Sequence, residues 1–229
     1  MAKKRPLQAT LFAETWQDPV IEMGRALQGR VAGLDEAGRG PLAGPVVAAC
    51  VVLPVDLPVE LLPLNDSKKL TEAARETLFP LIKRHALACG IASIEAPRID
   101  EVNILRASLE AMAQALALCE AALGAAIVGA LVDGDKRAPL PSRVTQRTLV
   151  RGDALSRPIM AASILAKVAR DRRMVEEAAR HPGYGFEGHK GYGTKQHLDA
   201  LARLGPSPLH RRSFAPVRQA AGAMDEKRA

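Results

Sequence analysis

The apolar positions of the chain fall into blocks of two different periods. Residues 30–35 and 45–53 are almost continuously apolar or small and rich in valine and alanine, as expected of buried strands, and only a short glycine-rich connection separates them. Residues 87–94, 127–132 and 144–150 form three further runs of strand length, the last two ending at Asp133-Gly134 and Arg151-Gly152-Asp153. Between them the period lengthens. Thr71 is placed to cap a helix that carries Glu72 and Glu76 early on and that Pro80 should kink or end. Pro97 opens a long pattern in which Ile99, Val102, Leu105, Leu109, Met112, Leu116 and Cys119 recur at helical spacing up to Gly124. Pro158 suits the first turn of a helix over 159–180, and Thr194 caps another reaching Leu204. Residues 1–28 show no period and read as a loosely attached extension. The remainder, 29–229, reads as one α/β domain: a mixed central sheet flanked by helices, with a small helical segment at its C-terminal end.

Composition narrows the class. Of 229 residues, 48% are hydrophobic and 25% charged, proportions that fit a globular protein and exclude disordered or collagen-like chains. The most apolar stretch, 121–132, falls short of the roughly 20 residues a spanning helix requires. The basic start is not followed by an apolar block, so a secretory signal is not expected and the protein is assigned to the cytoplasm. Cys50, Cys89 and Cys119 are odd in number and form no Cys-x-x-Cys pair, which points to reduced thiols rather than a disulfide framework or a zinc site.

The net charge of +7 and the pI near 9.6 favour a polyanionic partner. Residues 136–195 hold 13 Lys and Arg against 5 Asp and Glu, so this segment accounts for the whole excess.

Into this basic chain are set a few acids at special places. Asp35 and Glu36 leave an apolar strand and run into a turn containing Gly38, Gly40 and Gly44. An isolated Asp-Glu pair is ordinarily a solvated strand end, but glycines belong where a backbone takes unusual angles or is approached closely. Neighbours in a strand point to opposite faces, so a shared site at Asp35 and Glu36 requires a bend there. Asp133 and Asp153 also stand at the ends of apolar runs beside glycines. Four such acids at one end of a sheet repel each other and call for a cation, and oxygen-only ligation suits Mg²⁺ or Mn²⁺. Acids of this kind on a basic protein imply metal-assisted hydrolysis of a phosphodiester.

The segments Gly33 to Ala49, Asn65-Asp66-Ser67-Lys68-Lys69-Leu70, Asp133-Gly134, Arg151-Gly152-Asp153, Ala161 to Val168, His189-Lys190-Gly191-Tyr192 and His210-Arg211-Arg212-Ser213-Phe214 together resemble bacterial ribonuclease HII, of the type 2 ribonuclease H family, over about residues 31–217. The resemblance implies an RNase H-like fold with residues 29–229 as the catalytic domain. It implies a monomer that cleaves the RNA strand of RNA/DNA hybrids and nicks 5′ of single ribonucleotides in duplex DNA by two-metal-ion hydrolysis, leaving 5′-phosphate and 3′-hydroxyl ends, with a part in replication and ribonucleotide excision repair. By the same resemblance Asp35, Glu36, Asp133 and Asp153 are the catalytic, metal-binding carboxylates. Gly38, Arg39 and Gly40 match the segment that reads the ribose 2′-hydroxyl, and Tyr192 matches the residue packed on the adjacent deoxyribose. Ser67, Lys68, Lys69, Ser163 and Lys167 complete the expected substrate surface.

Some residues carry two readings. Lys167 and Arg170 are within helical reach of Asp171 for an ordinary ion pair, and Asp171 is a second choice to Asp153 for the fourth acid. His85, His181 and His197 read as surface or loop histidines. Residues 210–214 either touch the substrate backbone or pack the C-terminal helix. Asp135, an acid where the family often has an uncharged or basic residue, either crowds the metal site or points to solvent. Two rival functions share the fold: a non-catalytic nucleic-acid-binding module, and a DNA-only nuclease with no use for Gly38-Arg39-Gly40 or Tyr192.

Overall fold

A computed structural model describes residues 17–226; most of the 1–28 extension expected from sequence, its first 16 residues, lies outside them. Strands β1 (Val31–Ala37), β2 (Val46–Val52), β3 (Ala88–Ile94), β4 (Gly129–Asp133) and β5 (Thr145–Leu149) form one sheet in the order β3-β2-β1-β4-β5. The β1/β2 and β2/β3 pairs are antiparallel, and the β1/β4 and β4/β5 pairs are parallel. The sheet is therefore mixed, as expected. β1 is its central strand, and β1 and β4 bring their C-terminal ends to the same edge.

Helices cover both faces. Helix α4 (Ile104–Leu123) lies on one, where Met112, Leu116 and Cys119 pack with Ala32, Leu34, Val46, Ala48 and Cys50. Helix α5 (Arg157–Arg180) lies on the other, where Ile164, Leu165 and Val168 pack with Ala49 and Val51. The alternation of side chains along a strand assigns each residue of β1 to a face. Gly33 and Asp35 belong to the α5 side. Helix α2 (Glu72–His85) joins the same layer through Leu78 and Ile82.

Three sequence expectations change. Of the two outcomes expected at Pro80, the helix does not end there: α2 runs through it to His85. It sits on the exposed side of the helix while Leu78 and Ile82 anchor the buried side, so the carbonyl that loses its amide partner can be hydrated. The long amphipathic pattern after Pro97 is two helices, α3 (Ala96–Val102) and α4. Asn103 separates them at φ 71 and ψ 161, and its side chain caps α4 by accepting a hydrogen bond from the Arg106 amide. Residues immediately before β1 are not loose: helix α1 (Pro19–Leu27) is capped by Asp18 and lays Met23 against Val31, Leu131 and Ile159. Asp18 also accepts from the Arg157 amide, tying α1 to the start of α5.

Beyond α5 a short helix α6 (Phe186–His189), α7 (Lys195–Leu204) and α8 (Ala215–Glu226) form the expected C-terminal helical segment. Thr194 caps α7 by accepting from the His197 amide. No helix among the described residues is long and apolar enough to cross a membrane. Cys50 and Cys119 are buried and all three cysteines are free thiols.

Candidate active site

The four acids emerge from three neighbouring strand ends. Asp35 lies in β1, buried, and its carboxylate accepts from the Glu36 amide at 2.7 Å and from the Ser163 side chain on α5. The strand does not break at Asp35: β1 continues to Ala37, and the chain turns only at Gly38, whose φ is +95°. The bend expected between Asp35 and Glu36 is thus two residues further on. Asp133 ends β4, next to β1. Asp153 is carried past the end of β5 by a single 3-10 turn, Gly152–Ala154, and its amide donates to the Asp133 carboxylate at 3.3 Å.

Their electrostatics are those of one cluster. Burial pushes the Asp35 carboxyl well above its ordinary value, and the Glu36 and Asp133 charges push it further. Burial also raises Glu36 and Asp133, reinforced by Asp133 at Glu36 and by Asp153 at Asp133, while Arg39, 3.5 Å from Glu36, works the other way. Lys68 places its ammonium 3.1 Å from Asp153, and this bond raises the Lys68 pKa. Among the described residues no three His, Cys, Asp or Glu side chains already stand around a common point as ligands do. Neighbouring oxygen donors, three of which burial and mutual repulsion push above their ordinary pKa, fit a hard divalent cation. Asp35, Glu36, Asp133 and Asp153 are the residues that could hold it.

The other expected site residues border this cluster. Ser67 and Ser163 share a hydrogen bond of 2.7 Å beneath Asp35. Lys69 is exposed beside Lys68. Tyr192 is 43% exposed, with its ring 3.8 Å from where a side chain on Gly40 would begin. The Lys167 ammonium lies 5.8 Å from the centre of that ring while pairing with Asp171 at 2.8 Å, so the ordinary ion pair of α5 is present and occupies Asp171. Asp135 points to solvent and pairs with Lys136 at 3.0 Å, so it does not crowd the acids. A cavity of about 340 Å³ lies elsewhere, between α1, β1 and the chain after β2, and none of the four acids lines it. Glu36 and Asp133 are partly exposed, and Asp35 and Asp153 are buried.

Sequence reasoning missed what lies behind this site. His197 is fully buried, not superficial. The Ser207 amide donates to Nδ1 of His210, so His210 carries its proton on Nε2 and donates to Nε2 of His197 at 3.1 Å, which leaves Nδ1 of His197 to donate to the Tyr192 carbonyl at 2.9 Å. Burial lowers both pKa values, that of His210 to about 3. The relay works only with neutral rings. The folded state excludes the proton, so its stability is complete above the ordinary histidine pKa of about 6.5 and declines as pH falls below it. Hydrogen exchange between pH 7 and 4 should show residues 189–214 of the parent losing protection, and flat exchange in the parent over that range would contradict the neutral relay.

Arg170 and Arg211, both wholly buried, were likewise not foreseen as parts of the site. Arg170 does not pair with Asp171 as its spacing allowed; its guanidinium donates to the carbonyls of Pro45, Ala43 and Lys190. Arg211 packs inside and does not reach the surface. The available signal was position: Arg170 shares a helix face with Ser163, Ala166 and Met174, a buried stripe where an arginine must have partners.

Comparison with known proteins gives a consistent result. The sequence model of the family described as Ribonuclease HII matches residues 32–217. Ribonuclease HII of Syntrophotalea carbinolica is 55% identical over 191 residues, 83% of this chain and 87% of that protein. Ribonuclease HII of Bacillus licheniformis is 46% identical over 219 residues, 94% of this chain and 82% of its own. Among solved structures, ribonuclease H2 from Pyrococcus horikoshii OT3 superposes with a TM-score of 0.73 at 26% identity, covering 86% of this chain and 99% of that one. Bst-RNase HIII in complex with Mn²⁺ has a TM-score of 0.71 at 19% identity over 92% of this chain and 75% of its own, a likeness of fold.

Proposed function

The chain belongs to the ribonuclease HII family, and from that premise we propose that Asp35, Glu36, Asp133 and Asp153 form its catalytic centre, which cleaves the RNA strand of RNA/DNA hybrids and nicks duplex DNA 5′ of single embedded ribonucleotides. The observation that carries the reading is the convergence of these acids from β1, β4 and the turn after β5 beside Gly38-Arg39-Gly40 and Tyr192. The four carboxylates would hold Mg²⁺ or Mn²⁺. Such ions would supply a lowered pKa for an attacking water and neutralisation of charge on the leaving oxygen, consistent with 5′-phosphate and 3′-hydroxyl ends.

The protein's own residues supply selection and placement. Only the 2′-hydroxyl separates ribose from deoxyribose, and it is both donor and acceptor. At Gly40 a Cβ would meet only the Tyr192 ring, at ordinary contact distance, and without it the backbone there can meet a sugar at hydrogen-bond distance, whereas at Gly38 and Gly44 a side chain would strike Arg170 and Met174. The Tyr192 ring, facing Gly40, would lie on the next sugar and crowd a 2′-hydroxyl on it. Lys68, exposed and paired with Asp153, would hold a phosphate of the substrate, as would Lys69 and Lys167. Ser67 and Ser163 orient the Asp35 carboxylate from below. The protein would act as a cytoplasmic monomer.

Three duplexes of one sequence test this: all DNA, DNA with one ribonucleotide, and an RNA/DNA hybrid. With Mg²⁺ or Mn²⁺ the second should be cut once, 5′ of the ribonucleotide, the hybrid at many places and the first not at all. Cutting of the all-DNA duplex would favour the DNA-only nuclease, and binding without cutting would favour the non-catalytic module.

A further inference from the structure

Two buried guanidinium groups stand directly behind the backbone assigned above to the 2′-hydroxyl. Arg211 donates to the carbonyls of Gly38 at 2.6 Å, Arg39 at 2.9 Å and Gly44 at 3.0 Å. Arg170 donates to Pro45 at 3.0 Å and Ala43 at 3.2 Å on the same loop, and to Lys190 at 3.0 Å on the loop that carries Tyr192. The two side chains thus pin five carbonyls of residues 38–45 and one beside Tyr192. An ammonium group could not do this, because the planar fork directs its donors to several fixed places at once. Further backbone bonds close the unit: Leu42 donates to Gly191, Arg211 to Leu42, and Gly44 to Leu209.

The consequence follows from peptide geometry. In a trans peptide the C=O and the next N–H point in opposite directions. With the Gly38 and Arg39 carbonyls drawn inward onto Arg211, the amides of Arg39 and Gly40 are turned the other way. Among the described residues neither amide has a hydrogen-bond acceptor. Two aligned donors are thereby held ready at the loop surface, 43%-exposed Tyr192 stands across from Gly40, and Arg170 joins the supports of both.

We propose that Arg170 and Arg211 are positioning residues for ribose recognition, which preorganise the Gly38-Arg39-Gly40 amides and fix their distance from Tyr192 without touching substrate themselves. The proposal rests on the ribonuclease reading given above. Preorganised donors bind without the ordering cost that a mobile loop would incur, so the discrimination conferred by one hydroxyl depends on that rigidity.

The test uses Asp133→Asn protein, in which cleavage is silenced, and compares binding in Mg²⁺ of two duplexes differing by one 2′-hydroxyl. The parent should prefer the ribonucleotide duplex by about tenfold, the scale of one or two net hydrogen bonds. Adding Arg211→Lys or Arg170→Lys should bring the ratio close to unity while affinity for the all-DNA duplex stays unchanged. A lysine variant that keeps the full preference overturns the proposal and leaves the ribonuclease reading standing. An Asp133→Asn protein that shows no preference, together with an unsubstituted protein that cuts none of the three duplexes above, overturns that reading as well. A second measurement needs no substitution at these arginines: ¹⁵N relaxation of the free protein should find residues 38–40 as rigid as the sheet, with order parameters of about 0.85. Nanosecond mobility there, before any substrate binds, would overturn the proposal even if both lysine variants failed to fold.

Discussion

Asp35→Asn is expected to slow cleavage by about a thousandfold or more while raising the melting temperature of the metal-free protein. The loss in rate is the scale of several kcal/mol of transition-state stabilisation, which a carboxylate holding a catalytic cation supplies. The gain in stability follows from the folded structure. Asp35 is buried beside Glu36 and Asp133, and all three carboxyls hold their protons above the ordinary carboxylate range because burial and mutual repulsion disfavour their charges. A group with a raised folded-state pKa binds more protons folded than unfolded. The cluster therefore costs stability progressively as pH rises from the ordinary carboxylate range through the raised values. In chelator the parent should lose stability over that window, the Asn variant should lose less, and Mg²⁺ or Mn²⁺ should restore the parent alone. Single-turnover cleavage and thermal unfolding in chelator at pH 5 and pH 8 check both halves. A variant that cuts at the parent rate removes Asp35 from the chemistry.

Gly33→Ala should have the largest effect on the fold. A Cβ at this position would stand 2.3 Å from the Pro158 carbonyl carbon and 2.4 Å from the Ile159 amide nitrogen. Both are backbone atoms in the first turn of α5, so no side chain can rotate away. Gly33 cannot retreat either, being paired with Val51 of β2 and Leu131 of β4. The helix must lift from the central strand, at a cost of about 3 kcal/mol. For a domain of this size that corresponds to a melting temperature lower by roughly 6–12 °C. Because α5 carries Ser163 and follows the turn of Asp153, cleavage should fall as well. An unfolding transition within a degree of the parent would mean that α5 does not rest on β1 at this point.

The sheet was legible because its signals are local. Valine-rich runs bounded by glycine and proline mark the strands, Thr71 and Thr194 cap the helices they precede, and Gly124 ends α4 in the left-handed conformation. Local signals also mark where the acids stand: Asp35 and Asp133 lie at the ends of buried apolar strands, whereas Asp153 follows a strand, Thr145–Leu149, that is polar and partly exposed and is marked mainly by the glycine beside it. What periodicity could not reveal depends on packing at a distance. Pro80 breaks an isolated helix, but contacts of Leu78 and Ile82 hold α2 through it. Asn103 leaves the apolar spacing of its surroundings nearly undisturbed, so the division between α3 and α4 is hidden from a count of periods. The roles of Arg170, His197, His210 and Arg211 depend on carbonyls and ring nitrogens from segments far apart in the chain, and no spacing rule encodes those partners. The amphipathic turn at Pro19–Leu27 was obscured by charged residues that lie on its exposed side.

The reading as a whole depends on one arrangement, four acids gathered around divalent cations at the edge of the sheet. Anomalous diffraction from crystals of the Asp133→Asn-silenced and parent proteins soaked in Mn²⁺ with a ribonucleotide-bearing duplex locates those cations directly. The parent should show Mn²⁺ bordered by Asp35, Glu36, Asp133 and Asp153 at the phosphate 5′ of the ribonucleotide, with weaker density in the variant. Parent crystals with Mn²⁺ only at other places, at concentrations that support cleavage in solution, would contradict it.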